Sequence, residues 1–320
     1  MIRTFAHWFL ERFGAHSLLQ SFLAALFILF AVQLFTIGVL SERLPIEVSR
    51  PYFQEVRTFT FEPREKLEID NVDGTVNITP GKNSKISIIA DIRGYPRRFR
   101  DRDKVMKFYK KLFQIIESDT RVSLKTEPHS RPEGVEFRID YQVTVPEKID
   151  IEINVMSRGN VYITAGCKNV SVRANQGDIT IIQPEGDVFA QTILGRIDVR
   201  NVTTSADVQT INGAIYITAE KGKIKANSVN GNIQASLLTE NIELCDLSVT
   251  NGNISLSFPE LFSSKILAKT NRGYITSEFP LGDVLPGTQV SLIEKQIGKG
   301  VADLKLTSMN GKILISRLIQ

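Results

Sequence analysis

A glycine returns every eighteen residues from Gly159 through Gly177, Gly195 and Gly213 to Gly231, and each opens a similar phrase. The phrases are Gly159-Asn-Val-Tyr-Ile, Gly177-Asp-Ile-Thr-Ile, Gly195-Arg-Ile-Asp-Val, Gly213-Ala-Ile-Tyr-Ile and Gly231-Asn-Ile-Gln-Ala. Aliphatic residues take the second and fourth places after each glycine, apart from the closing Ala235, and mostly polar residues take the others. That alternation describes a strand buried on one face. The residues seven, five and three places before the later glycines keep the same step: Val170/Val172/Ala174, Val188/Ala190/Thr192, Ala206/Val208/Thr210 and Ile224/Ala226/Ser228. One short strand cannot bury its face alone, whereas a stack of equivalent units can, so a constant period marks a repeat architecture.

The period stretches beyond Gly231 while the grammar holds. Gly252 and Gly273 each follow after twenty-one residues and Gly311 after thirty-eight. Cys245/Leu247/Val249, Ile266/Ala268/Thr270 and Leu304/Leu306/Ser308 fill the inward places before them. An earlier copy stands at Leu67-Glu-Ile-Asp-Asn-Val-Asp-Gly74-Thr-Val-Asn-Ile78. The surviving phase predicts that the extra residues enter as turn insertions outside the strands. The expected fold is mainly β, a single-stranded parallel β-solenoid of about 18–21 residues per coil, with coils about 4.8 Å apart in parallel ladders. Gly74, Gly159, Gly177, Gly195, Gly213, Gly231, Gly252, Gly273 and Gly311 are the predicted corner residues, where glycine permits positive φ. Asn212, Asn230, Asn251 and Asn310 before them tolerate the same region. The small Ala/Thr/Ser column three residues before each glycine fits a tight inner corner. Asn-Gly is also a hairpin signal, so an antiparallel sandwich is the competing fold. Four equal intervals in succession favour the solenoid.

No Asp, Glu, Lys or Arg occurs from Phe13 to Ser41, and Leu18–Leu40 is almost wholly apolar. As a helix these 23 residues would span roughly 35 Å, enough for a bilayer core. A cleaved signal peptide would have a shorter apolar stretch and small residues at its cleavage site, which Thr-Ile-Gly38-Val-Leu-Ser41 matches poorly. The expected organisation is a cytoplasmic head at 1–16, a transmembrane signal anchor at 17–41, a stalk at 42–60 and a β-solenoid domain at 61–320. The domain is expected outside the cytoplasm, periplasmic or at the cell surface, with the cytoplasmic membrane as the partner of residues 17–41.

Between Pro96 and Ser118 the β grammar stops. Arg97, Arg98, Arg100, Arg102, Lys104, Lys107, Lys110 and Lys111 stand against Asp101, Asp103 and Glu117, a surplus of five, while the whole chain carries +4. Val105, Phe108, Leu112, Ile115 and Ile116 recur at helical spacing, which predicts a short amphipathic helical insertion at about 96–119. Its apolar stripe is expected to cover the first coil, with its charges solvated; the alternative for the basic face is an anionic lipid surface. Two β segments follow at 121–125 and 135–145. Ile151, Ile153 and Val155 then run one place out of phase with the later coils, which predicts a bulge before Gly159.

Taken together, Leu67-Glu-Ile-Asp-Asn-Val-Asp-Gly74, a helix after the first β pair, Arg138-Ile-Asp-Tyr-Gln-Val-Thr-Val-Pro146 and the repeated Gly-Asp/Asn-Ile phrases resemble the bacterial putative-adhesin family. Its members are β-strand-repeat domains of unknown function, often membrane-anchored. The resemblance spans about residues 60–320. It implies a parallel β-solenoid and brings no catalytic motif.

The residues themselves point the same way on chemistry. Asp178 with Asp198 is the nearest approach to the carboxylate pair a glycoside hydrolase needs, and stray surface aspartates are the simpler reading. There is no Gly-Gly-x-Gly-x-Asp calcium repeat and no phosphate-loop glycine cluster. His7, His16 and His129 are scattered, and Cys167 and Cys245 fall at different phases of the repeat, as buried inert thiols rather than a disulfide. No catalytic, cofactor-binding or metal-binding residue is therefore expected, and a net +4 gives no argument for nucleic acid.

The expected function is that of a non-enzymatic envelope protein, an adhesin-like or scaffolding surface whose partner is another envelope protein or a polysaccharide. A carbohydrate-active solenoid enzyme and a self-assembling structural protein are the alternatives. The last phrase, Gly311-Lys-Ile-Leu-Ile-Ser-Arg-Leu-Ile-Gln320, has no helix after it, so Ile315, Leu318 and Ile319 form a predicted association edge. That edge would serve a homo-oligomer or an envelope partner, unless Leu318 and Ile319 fold back as a minimal cap.

Overall fold

The structure, a computed structural model, describes residues 51–126, 134–164, 166–281, 287 and 289–318. The expected head at 1–16, anchor at 17–41 and first part of the stalk lie outside the described residues. Pro51–Gln320 is one compact unit that holds every described strand and the whole buried core. Among the described residues no helix is long and apolar enough to cross a membrane.

The unit opens with β1 (Phe53–Phe61), so part of the expected stalk already belongs to the sheet. β2 (Lys66–Asn71), the Gly74 corner and β3 (Val76–Pro80) make the first coil. β4 (Ile86–Pro96) leaves the coil path and runs antiparallel to β1. Next comes α1 (Arg102–Phe108), flanked by single 3₁₀ turns at Phe99–Asp101 and Tyr109–Lys111. β5 (Phe113–Glu117) and β6 (Arg121–Thr126) then form an antiparallel hairpin, and β7 (Val135–Val145) returns antiparallel to β4. The helix is much shorter than the expected 96–119. Val105 and Leu112 are buried as its spacing requires, but Ile115 and Ile116 lie in β5. β-Branched residues fit a pleated strand better than a helix once a partner strand is beside them.

The regular coils follow. Strands before the glycine corners are β8 (Asp150–Arg158), β10 (Val170–Gln176), β12 (Val188–Leu194) and β14 (Ser205–Asn212); those after are β9 (Val161–Thr164), β11 (Ile179–Ile182) and β13 (Ile197–Val202). β15 (Ile215–Asn230) and β16 (Ile233–Asn251) each serve as one post-corner and the next pre-corner strand. All these pairings are parallel, in two ladders, so the sheet as a whole is largely parallel. Val172 lies opposite Ile153 on one side and Ala190 on the other, and Ile181 lies between Ile163 and Val199; all six are buried. The predicted bulge is present: Ala174 faces Val155, but Gln176 faces Arg158. The extra residues of the coil closed by β16 enter as register shifts opposite Ala219–Lys223, at the corner away from the glycines.

The first and the last coil are both threaded inward. β2 pairs with β6 on one edge and β8 on the other, and β3 pairs with β7 and β9. At the far end β17 (Ile254–Phe258), β18 (Ser264–Arg272) and β19 (Ile275–Ser277) follow one another in sequence but do not stack in sequence. β21 (Ala302–Asn310) lies between β16 and β18, and β22 (Ile313–Arg317) between β17 and β19. The interval from Gly273 to Gly311 is therefore not a turn insertion. β20 (Leu292–Ile297) follows β19 in sequence and pairs antiparallel with β18, and the last coil then enters between two earlier ones. Antiparallel strands flank the ladders, β1 and β4 with β5 at one end and β20 beside β18 at the other, where β19 has a single bridge from Ile275 to Val290.

This corrects the expected open C-terminal edge. Ile315 is fully buried in a strand paired on both sides. The Leu318 N–H donates to the Phe258 carbonyl at 2.9 Å, and Ile319 lies outside the described residues. The same threading corrects the expected cap at the other end, where strands rather than the helix alone close the stack.

Candidate functional site

The predicted corner glycines stack as one column, and six of the nine, Gly74, Gly177, Gly195, Gly231, Gly252 and Gly273, have the expected positive φ. Gly195 has φ +155°, but Gly213, Gly159 and Gly311 lie outside the left-handed range. What the column shares is close approach. A Cβ on Gly195 would collide with the Gly177 carbonyl oxygen, one on Gly213 with that of Gly195, and one on Gly311 with that of Gly252. The Ser/Thr column three places earlier is not merely small. Thr192 Oγ1 donates to the Gly177 carbonyl at 3.3 Å, Ser228 Oγ to that of Gly213 at 3.2 Å, and Thr270 Oγ1 to that of Gly311 at 2.9 Å. The asparagines before the glycines do not adopt positive φ; they build an amide ladder. Asn230 donates to Asn212 at 2.9 Å, Asn251 to Asn230 at 2.8 Å and Asn310 to Asn251 at 2.7 Å.

The open concavity lies elsewhere, on the outer face of the pre-corner ladder. Period-two alternation turns Ile151, Val170, Val188 and Ala206 toward the core, so the residues on either side of each face outward. Asp150/Glu152, Asn169/Ser171, Asp187/Phe189, Ser205/Asp207 and Lys223/Lys225 line up from coil to coil, with Lys66 at one end, around a groove of about 570 Å³. Its polar groups are cross-linked. Lys66 Nζ lies 2.8 Å from both Glu152 and Glu68, and these hydrogen bonds, Glu152's first, hold the ammonium above the usual lysine range. Asp150 Oδ1 accepts from Asn169 Nδ2 at 3.0 Å, Asn169 Oδ1 accepts from the Asp187 N–H at 3.1 Å, and Ser205 Oγ donates to Asp187 Oδ1 at 2.7 Å. Gln209 donates to Asp207 at 3.0 Å, and the Arg173 guanidinium lies 4.6 Å from the Phe189 ring centroid. The groove thus offers acceptors, hydroxyls, one aromatic edge and lysines at both ends, at the spacing of the coils.

Sequence reasoning missed this groove. The outward places change residue type at every coil, and only their consistent polarity signals a shared face. Asp178 and Asp198 do not form a proton-sharing pair. Asp178 accepts from the Arg196 N–H at 2.8 Å, and Asp198 is gripped by Arg200 at 2.9 and 2.6 Å. Cys167 and Cys245 are buried and form no disulfide; burial pushes Cys167 up to about 12, with Glu185 adding to it, and raises Cys245 as well. Among the described residues no group of His, Cys, Asp and Glu could hold a metal ion.

Comparison with known proteins gives the following. No curated protein matches the chain. Among solved structures it is similar to a putative adhesin from Bacteroides fragilis, at 14% identity and a TM-score of 0.47, covering 83% of this chain and 97% of that one. It is also similar to a putative adhesin from Parabacteroides distasonis, at 8% identity and a TM-score of 0.40, covering 83% and 97%. A putative lipid binding protein from the same species matches at 7% identity and a TM-score of 0.27, covering 83% and 97%. The family model Toastrack DUF4097 matches residues 64–316, and the chain belongs to that family.

Proposed function

We propose that this protein is a non-enzymatic interaction module of the cell envelope, anchored in the cytoplasmic membrane by residues 17–41 and presenting its β-solenoid outside the cytoplasm. Its binding face is the groove on the pre-corner ladder, and its ligand is an extended polysaccharide. The groove is the single observation that carries this reading. A polymer of sugar units needs hydroxyl partners repeated along a line, and the coils supply paired polar places about every 4.8 Å. Phe189 adds an apolar edge for the C–H faces of a sugar ring, and acidic and basic groups together suit a ligand with little net charge. A carbohydrate-active enzyme on the same face would need a carboxyl group kept protonated as an acid. The groove's Asp187 and Asp207 are engaged by their neighbours Ser205 and Gln209, whose hydrogen bonds they accept, and so help to hold the face together.

The test is glycan-array binding of the fragment 51–320, which retains the whole compact unit, followed by calorimetry on the best ligand. The fragment is expected to bind an extended glycan, and the double variant Asp187→Ala, Phe189→Ala to lose at least about tenfold in affinity. A parent that binds no glycan, or a variant that binds as the parent does, removes the reading. Hydrolysis of the bound glycan would move the protein to the enzymatic alternative.

A further inference from the structure

The basic segment lies where the chain enters the solenoid, at the end closed by β1 and β4. α1 seats Val105 against β4, where Gly94 leaves the room: a Cβ there would collide with the valine methyl. The segment is tied to the start of β1 by aromatic contacts. The Tyr109 and Phe53 rings lie 4.3 Å apart, and the Arg102 guanidinium lies 5.0 Å from the Tyr52 ring centroid. With Val105 and Leu112 turned inward, Arg98, Arg100, Lys107, Lys110 and Lys111 all face solvent. Beside them Met106 and Tyr52 are 45% and 43% exposed. A cationic face carrying a few apolar and aromatic tips is the chemistry that settles into a headgroup layer.

Chain length supplies the second argument. Ten residues, 41–50, separate the apolar segment from Pro51, and fully extended they reach at most about 36 Å. We infer that this basic entry end of the solenoid is a docking surface for an anionic lipid headgroup layer. The inference rests on the anchor reading above, because that reading supplies the tether to a membrane. Lysines and arginines near such a surface act additively and are screened by salt, so five exposed cations suffice for a measurable, salt-sensitive association.

The experiment is flotation of the fragment 51–320 with vesicles of phosphatidylcholine alone or mixed with phosphatidylglycerol. The parent is expected to float with the anionic vesicles and to release in high salt. The variant Arg98→Glu, Arg100→Glu, Lys107→Glu, Lys110→Glu, Lys111→Glu should bind at least about tenfold more weakly. Should that variant fail to fold, Lys107→Gln, Lys110→Gln, Lys111→Gln is expected to fold and to lose part of the binding. Equal flotation with neutral and anionic vesicles, or unchanged binding by the folded variants, overturns the inference. So does tight binding to a soluble polyanion such as heparin without flotation. The fragment lacks residues 1–50, so its result stands apart from the topology of the full chain. A negative result here leaves the anchor untouched, and a failed anchor leaves the vesicle result readable.

Discussion

Asn310 donates its side-chain amide to Asn251 at 2.7 Å across fifty-nine residues of chain. The two belong to coils that are far apart in sequence and adjacent in the stack. The Gly273 coil, which follows Asn251 directly in the chain, sits one place further out, on the other side of Asn310's coil: Arg272 is the Cα partner of Asn310. The last coil of the chain is therefore an interior coil of the fold.

Removing residues 302–320 should accordingly do more than shorten the solenoid. β18 would lose its parallel neighbour β21 and β19 would lose β22, while β8 to β14 keep both of theirs. Hydrogen exchange on the truncated fragment should show 264–277 and 292–297 exchanging freely, with 170–212 protected as in the parent. Retained protection over 264–277 would mean that this coil stacks directly on β16 and β17, contrary to the threading.

The glycine column separates close packing from backbone strain. Gly213 lies outside the left-handed range, yet its Cβ would collide with the Gly195 carbonyl. Gly287 has φ +79° and nothing within 4 Å of where its Cβ would stand. Gly287→Ala should therefore cost only about 1 kcal/mol through φ. Gly213→Ala should cost at least about 2–3 kcal/mol, because two stacked backbones must part. Urea denaturation of the two variants ranks them, and equal costs would show that the corner is not held by contact.

Much of this column was legible in the sequence, because in a coil stack the sequence period is also the stacking register. Gly177 and Gly195 are eighteen residues apart and are neighbours for that reason. The same spacing says nothing about order once the chain leaves the stack and comes back. Gly311 keeps the phase of the repeat, but phase identifies its place on the coil and not its neighbour. The helix boundary failed for a related reason: Ile115 fits a helical stripe locally, and the pairing with Leu124 that makes it a strand is set by a hairpin further on. In the sequence Thr192 and Ser228 show only their small size, because the acceptors of their hydroxyls, the carbonyls of the preceding corner, sit fifteen residues back. The groove was hidden because its line of residues keeps a direction without keeping a residue type.

Alkaline pH should weaken the fold through its thiols. Burial, with Glu185 adding to it, raises Cys167 from an ordinary 9.0 to about 12, so the unfolded chain gives up this proton first. Stability from the neutral thiol is complete below about pH 9 and is lost as pH rises toward 12. The slope contributed is at most about 1.4 kcal/mol per pH unit. Chemical denaturation of the fragment between pH 8 and 11 should become shallower in its pH dependence in Cys167→Ala. An identical pH dependence in parent and variant would show that the thiol ionises as readily folded as unfolded. The thiols should also resist iodoacetamide at pH 8 until denaturant is added, because the thiolate is the reactive form.

Topology is decided on the full chain. Residues 17–41 carry no Asp, Glu, Lys or Arg, and the 51–320 unit follows them. The proposed anchoring puts the head inside, and the flanking Arg3 and Arg12 on one side and Arg43 and Arg50 on the other give little charge bias either way. A coil stack with a continuous buried core resists proteolysis, so protease should cut first between the membrane and Pro51. Protease added to spheroplasts should therefore release the folded solenoid nearly intact and leave a membrane-bound stub of the head and anchor. Release that needs lysis of the cells would place the solenoid in the cytoplasm. A protein that leaves the membrane in carbonate washes, before any protease is added, would remove the anchor itself.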